Sequence, residues 1–297
     1  MSDTVPLTGR AYAKLRNVIA PLGPRLLRFK RLRALVRKLD GKVLPEGERL
    51  VTTTSGWQIW VNPGDQAVAR ALIGSGEWQP QESQSLARYL PRGGVAVDIG
   101  GNIGYMAGVL ATACGPEGKV FTFEPDATNV GLLRRTVATN GWDHVQVFHA
   151  ACGDEAGELV LYKDADNWGN HALAHDDVLH TAGGETVAVV TVDAALAEHR
   201  LTRVDVIKID VQGWELQALR GASSLKQFHP TVFAEFYPRG LKMAGTTPEE
   251  MWEELESWGA VGQLDPSGQI RPVDLAGALG DPANAGGFVD LVIQPRR

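Results

Sequence analysis

A chain of 297 residues, 44% hydrophobic and 22% charged, has the composition of a globular protein, with core enough for one large α/β domain or two small ones. No apolar run reaches about 18 residues, and no apolar signal core precedes a small-residue cleavage site, so neither a transmembrane helix nor export is expected and the cytoplasm is the expected location. Residues 1–42 carry eleven Lys/Arg and two Asp/Glu, a balance of +9 on a chain whose total is −6, which leaves −15 for the rest; so acidic a body is not expected to bind nucleic acid.

In chain order, residues 11–39 carry a helical pattern broken at Pro21 and Gly23-Pro24. Phe29, Leu32, Leu35, Val36 and Leu39 share one face of its second part, with Arg28, Lys30, Arg31, Arg33, Arg37 and Lys38 around them. Such a helix packs on the domain or a second subunit, with a solvated basic rim, or else lies on an anionic surface such as the inner face of a membrane. Residues 1–48 are therefore set apart as a basic helical N-terminal extension, and 49–297 as the main domain. Pro45–Asp65 alternates and reads as a hairpin. Helices are expected at Gln66–Ile73 and Glu82–Leu90, with the loop Gly74–Pro80 between them.

From Val95 onward strand and helix patterns alternate, which implies parallel pairing with right-handed crossovers. Strands are expected at 95–99, 119–124, 145–150, 204–210 and 231–236, and helices near 103–114, 127–140, 214–221 and 247–258. An insertion at 153–200 carries two more strands, Glu158–Tyr162 and Thr186–Val192, around a polar middle rich in His and Asp, placed on the substrate side. Gly259–Pro272 reads as a hairpin and Phe288–Ile293 as a last buried strand. The expected fold is α/β: a seven-stranded, mostly parallel sheet with helices on both faces and a late antiparallel strand. Cys114 and Cys152 fall in no metal-binding spacing and read as reduced structural thiols.

Ligands of such sheets bind beyond the carboxyl ends of the strands, so the acids there carry most weight. Val95–Ile99 contains Asp98 and runs into Gly100-Gly101-Asn102-Ile103-Gly104, glycines that bring bare backbone to a ligand at a helix N-terminus. Val120–Phe123 then delivers Glu124 to the same edge, where a carboxylate can accept two ribose hydroxyls. The spacing is D-x-G-x-x-x-G, with Asn102 breaking the dinucleotide pattern G-x-G-x-x-G, and this form fits S-adenosylmethionine (SAM) better than NAD. Asp98 can equally be a carboxylate that holds the glycine loop, and Asn129 a residue that caps or packs its helix.

Farther on, an alternating strand ends at Asp210, Gly213 opens a helix, and Glu215 falls in its first turn, where the helix dipole already favours an acid. Asp210 and Glu235, on neighbouring strands, could together hold a divalent cation such as Mg with water and substrate oxygens. His171, in the polar insertion, has the intrinsic pKa of a general base, or is a solvated loop histidine. His149 is expected near the core, Lys208 paired with a carboxylate, and Trp78, Trp168 and Trp214 either stacked on a sugar or simply packed.

Together, Val97–Gly104, Phe123–Asp126 with Asn129, Ile207–Glu215 and Leu219–Ala222 resemble the FkbM-type methyltransferases, in element order over roughly residues 50–293. Ala150–Gly157 also resembles that family's third motif. Gln212 stands where the family often has Glu, and Gly101 where Ala is usual. The resemblance implies the Rossmann-like class I methyltransferase fold, with SAM bound through Asp98, Gly100, Asn102, Gly104, Glu124 and Asp154. It also implies methyl transfer to oxygen, on hydroxyls of sugars, glycans or natural products, with carboxylates as acceptors in some members.

Asp210, His171 and Glu215 are the candidate catalytic residues, because a sugar hydroxyl must lose its proton as it attacks; a carboxylate acceptor needs no base. The expected partner is a small-molecule or glycan acceptor, with the N-terminal helix left for a dimer or peripheral membrane contact. Amino-directed and cytosine-5 DNA methyltransferases are disfavoured: no [DNS]-P-P-[YF] follows the fourth strand, and no Pro-Cys nucleophile is present. An NAD-dependent short-chain dehydrogenase would need Tyr-x-x-x-Lys, which none of the five tyrosines begins. A non-catalytic SAM-binding scaffold is disfavoured by the intact Gly and Glu positions.

Overall fold

The computed structural model describes residues 47–173, 181–265, 267–281 and 287–296. The basic helix expected at 11–39 lies outside them, as does part of the insertion's polar middle.

The N-terminal hairpin forms from Arg49–Thr52 (β1) and Gln58–Val61 (β2), paired antiparallel. Val68–Ser75 (α1) and Pro80–Tyr89 (α2) follow; a proline suits the first position of α2, where its missing N–H would have had no helical partner. The main body runs Val95–Ile99 (β3), Tyr105–Cys114 (α3), Lys119–Phe123 (β4), Ala127–Asn140 (α4) and Val145–Phe148 (β5). The insertion supplies Ala151–Cys152 (β6), Gly157–Asp164 (β7) and Thr181–Val190 (β8), then Val192–Leu196 (α5). Val206–Ile209 (β9), Glu215–Arg220 (α6), Thr231–Phe236 (β10), Pro238–Met243 (α7) and Pro248–Trp258 (α8) resume the alternation. Ala260–Leu264 (β11), Ile270–Pro272 (β12), Leu275–Gly280 (α9) and Val289–Gln294 (β13) close it.

The main sheet has the order β12-β11-β13-β10-β9-β3-β4-β5. β5, β4, β3, β9 and β10 are parallel, and β13 inserts antiparallel between β10 and β11. The seven expected strands are present, and the second arm of the 259–272 hairpin adds a three-residue eighth at the edge. The chain lays down β3, β4 and β5 in one direction, then returns to place β9 on the other side of β3. That reversal opens a crevice beyond the carboxyl ends of β3 and β9, the ligand position of open α/β sheets.

Every residue of β3, β9 and β10 is buried, as strands covered on both faces must be. Val97, Ile99, Ile207 and Val232 pack on one face with Leu216 of α6 and Leu255 of α8. Ala96, Val206, Phe233 and Val292 pack on the other with Leu72, Leu86 and Leu110 of α1, α2 and α3. Full burial of a side chain such as Phe233 stabilises by about 1.5–3 kcal/mol. The period of two puts Asp98, Lys208 and Glu235 on this second face as well. Asp98 lies opposite Lys208, and Glu235 opposite Asp290.

In the insertion, β8 pairs antiparallel with β7 and parallel with β6, a small sheet apart from the main one. It begins at Thr181, earlier than the strand expected at 186–192. The segment Asp164–Leu173 folds back over the main domain. There Gln66 donates its backbone N–H to the Asp166 carbonyl and its Nε2 to Asp166 Oδ1, both at 2.7 Å. His149 departs from its expected place near the core: β5 stops at Phe148, and His149 just beyond it is exposed, with Nε2 3.1 Å from the Pro125 carbonyl. No helix among the described residues is long and apolar enough to cross a membrane.

Candidate functional site

A cavity of about 340 Å³ occupies the crevice. Its floor is Gly100–Asn102 and Glu124, its far wall Lys208, Asp210, Gln212 and Glu235, and its roof Asn167–His171 from the insertion. Trp78, Tyr237 and Phe288 also line it, the last with 39% of its surface exposed.

The floor is built by a turn with no room for side chains. Gly100 and Gly101 both donate to the Phe123 carbonyl, at 3.0 and 2.9 Å, which ties the turn to the end of β4. Gly100 has φ +89°, and a Cβ there would lie 1.9 Å from the backbone oxygen of Asp210. At Gly101 a Cβ would lie 2.2 Å from Thr122 Oγ1, a hydroxyl that donates to Asp98 Oδ2 at 2.9 Å. Thr122 therefore dictates glycine at 101. Gly101→Ala is expected to cost about 1–3 kcal/mol, and much less in a Thr122→Ala background, because the obstructing oxygen is gone. A double-mutant cycle in thermal denaturation measures this; simple additivity would contradict the steric account.

Of the residues expected to hold a cofactor, Gly100, Asn102 and Glu124 line the cavity. Glu124 Oε2 accepts from the Asn102 N–H at 2.8 Å, and Oε1 from the Asp126 N–H at 2.9 Å and Asn129 Nδ2 at 3.4 Å. Burial pushes its carboxyl up to about 7 against the opposing pull of these hydrogen bonds. Asn102 adopts φ +48°, and its Oδ1 is buried without a hydrogen-bond partner.

Asp98, Gly104 and Asp154 do not line the cavity. Asp98 is fully buried beneath the turn; burial raises its carboxyl, and Lys208 opposes the rise. Gly104 caps the N-terminus of α3, and Asp154 is exposed. Ala150, Ala151 and Cys152, just before Asp154 in the chain, line the cavity instead. Cys152 and Cys114 are free and buried, and burial raises both thiols, Cys114 to about 11 and Cys152 well above its ordinary value, which keeps them unreactive near neutrality.

At the far wall Lys208 Nζ lies 3.4 Å from Asp210 Oδ2. Gln212 Nε2 donates to Asp210 Oδ1 and to Glu235 Oε2, both at 2.8 Å. The two carboxylates expected to share a cation are thus bridged by an amide donor, and no cluster of three or more His, Cys, Asp or Glu suited to a metal ion occurs among the described residues. Glu215 lies off the cavity. Its Oε1 accepts from the Val211 and Gly213 N–H groups at 3.1 and 3.0 Å, so it shapes the turn that presents Gln212 instead of meeting a substrate.

His171 does line the cavity, but Nδ1 accepts from the Asp164 N–H at 3.1 Å, so the ring proton sits on Nε2. Nε2 faces Asp126 Oδ2 at 3.8 Å, an oxygen also held by Lys163 at 2.7 Å. Burial lowers the His171 pKa. In this arrangement the Nδ1 lone pair is spent on the roof and the Nε2–H faces the start of α4, so no lone pair is directed at a substrate. Trp78 and Trp168 line the cavity and Trp214 does not. Tyr237 and Phe288 escaped the sequence reading, although Tyr237 follows directly on the carboxyl end of β10. Gln79, Asn102 and Gln212 are three of the five non-glycine residues with positive φ among the described residues, and all three line the cavity. Backbone strain thus gathers at this site.

The family model described as "Methyltransferase FkbM domain" matches residues 98–261, more than half of the chain. Methyltransferase sdnD of Sordaria araneosa is 27% identical over 160 residues, 44% of this chain, which spans only 61% of that relative's length. Hexuronic acid methyltransferase AglP of Haloferax volcanii is 24% identical over 201 residues, 67% of this chain and 71% of AglP. Among solved structures, a SAM-dependent O-methyltransferase from Thermotoga maritima aligns over 84% of this chain and 78% of its own, at 15% identity and a TM-score of 0.38. With the glycine turn, Glu124 and the Ile207–Glu215 segment all inside the matched span, the chain belongs to the FkbM methyltransferase domain family.

Proposed function

We propose that this protein is a SAM-dependent O-methyltransferase acting on a hydroxyl of a sugar, glycan or natural-product acceptor, with residues 49–297 as the catalytic unit. The observation that carries the reading is one cavity with two different ends: a glycine turn with Glu124 at one, and Asp210 at the other. Three features of the first end suit SAM. The Gly100–Gly101 turn brings backbone to the cavity, Asn102 Oδ1 lacks a partner, and the Glu124 carboxylate has acceptor capacity beyond its backbone bonds. Bound there, SAM supplies a methyl group on a positively charged sulfur, ready for attack by an oxygen.

The other end has to position and deprotonate the acceptor. Asp210 is the base we assign, since His171 is engaged and Glu215 is off the cavity. Trp78, Trp168 and Tyr237 offer flat faces on which a sugar ring or an apolar natural product can lie. The name of one relative, hexuronic acid methyltransferase, points to a sugar that carries both hydroxyls and a carboxylate, which makes a carboxylate acceptor the second reading. A wall carrying a potential base, Asp210, within 3.4 Å of Lys208 favours the hydroxyl, because a carboxylate acceptor has no proton to lose.

Calorimetry tests the cofactor. SAM or its demethylated product is expected to bind at micromolar levels, and failure to bind would sink the enzyme reading. Because the Glu124 carboxyl is raised to about 7, it holds a proton below that pH, and a protonated acid accepts ribose hydroxyls poorly. Affinity is therefore expected to fall about tenfold for each pH unit below 7 and to level off above it. In Glu124→Gln the affinity should be weak and independent of pH.

A further inference from the structure

The sheet face beneath α2 carries more acid than the proposed reaction uses. Asp98 and Lys208 lie opposite each other on β3 and β9, and one row nearer the cavity come Asp210, Glu235 and Asp290. Glu82, in the first turn of α2, covers this group; it is 7% exposed, and its Oε2 has no hydrogen-bond partner. The charges facing it are Asp290 of β13, Lys208 of β9, Asp210 just past β9 and Asp98 of β3. Glu235 of β10 joins the group through Asp210 and Asp290. Five carboxyl groups thus share one ammonium, that of Lys208, which is 3% exposed and lies 3.4 Å from Asp210.

Buried acids crowded around one cation cannot all ionise. Burial, with Asp290 beside it, pushes Glu82 up to about 8; burial and Asp210 bring Asp290 to about 6, and burial raises Glu235 well above the ordinary range. At neutral pH Glu82 holds its proton, and Lys208 stays with Asp210. Once ionised, Glu82 offers an unpartnered oxygen to the same ammonium.

We propose that Glu82 is a positioning residue that sets how firmly Lys208 holds Asp210: when charged, it draws the ammonium toward α2 and leaves the Asp210 carboxylate free to take the acceptor's proton. Neither Glu82 nor Asp290 lies within the span matched by the family. The kinetic consequence rests on the methyl-transfer reading above; the electrostatic one does not.

Wild type, Glu82→Gln, Asp210→Asn and the double variant test both consequences. In thermal denaturation, coupling between Glu82 and Asp210 is expected at about pH 9, where Glu82 is ionised, and none at about pH 6. Equal coupling at the two values overturns the proposal. In turnover at saturating acceptor, wild-type kcat is expected to climb about tenfold between about pH 7 and pH 9, while Glu82→Gln stays at the lower level with KM unchanged. A variant that climbs alongside the wild type overturns the proposal too. Wild type without turnover at any pH, but with the alkaline coupling, upholds the electrostatic role of Glu82 and counts against the methyl-transfer reading.

Discussion

Asp210→Asn is expected to lower kcat by about 10²–10⁴ while leaving SAM affinity close to wild type. The substitution keeps the shape and the Oδ1 acceptor for Gln212, but removes a cavity-lining carboxylate that lies 3.4 Å from Lys208. A sugar hydroxyl is a poor acid, so its attack on a methyl group stalls unless a base takes the proton as the new bond forms. Lys208 keeps Asp98, directly opposite it on β3, as a neighbour after the change. Steady-state kinetics with calorimetry on the same preparation separates the two effects. Turnover that survives nearly intact would turn the assignment to a carboxylate acceptor, which has no proton to lose.

The second large effect is expected at Gly100→Ala. The backbone there has φ +89°, which L-residues rarely adopt, and the new methyl would meet the Asp210 carbonyl at 1.9 Å. Neither neighbour can yield cheaply: the Asp210 N–H donates to the Ile99 carbonyl at 3.0 Å, and Gly100 is bonded to the Phe123 carbonyl. Strain and overpacking together should cost about 3 kcal/mol or more, enough to deplete the folded protein. Both ends of the cavity should suffer at once, since Gly100 supports the cofactor turn and Asp210 the acceptor wall. Chemical denaturation and SAM titration are the measurements; a variant of wild-type stability would show that the turn has room that its geometry denies.

Much of the architecture was legible because burial imposes simple periods. The run Val95–Ile99 and the alternation of strand and helix gave the parallel sheet, and glycine spacing with Glu124 located the crevice. Helix α4 fell on its expected bounds, with Asp126 capping one end and Gly141 the other. The eighth strand, the earlier start of β8 and the end of β5 before His149 are boundary effects, decided by pairing partners that a linear pattern does not contain.

The candidate site was legible at its backbone and less so at its side chains. Asp210 and Glu235 were found as strand-end acids, but the amide of Gln212 between them depends on a left-handed turn that composition does not signal. His171 had the right chemistry for a base, and only its contact with Asp164 shows the lone pair already in use. Glu82 stood in the sequence only as the first residue of an expected helix. Only the packing of α2 on the sheet buries it beside Lys208.

The acid cluster draws its members from inside and outside the span that defines the family. Asp98, Lys208, Asp210 and Glu235 belong to the matched segment, whereas Glu82 and Asp290 come from flanking elements that close over it. On the role proposed for Glu82, drift at such peripheral positions would retune the pH at which the Asp210 side of the cavity works, with the glycine turn untouched. Enzymes built on one such core could diverge in the compartments they suit before they diverge in chemistry.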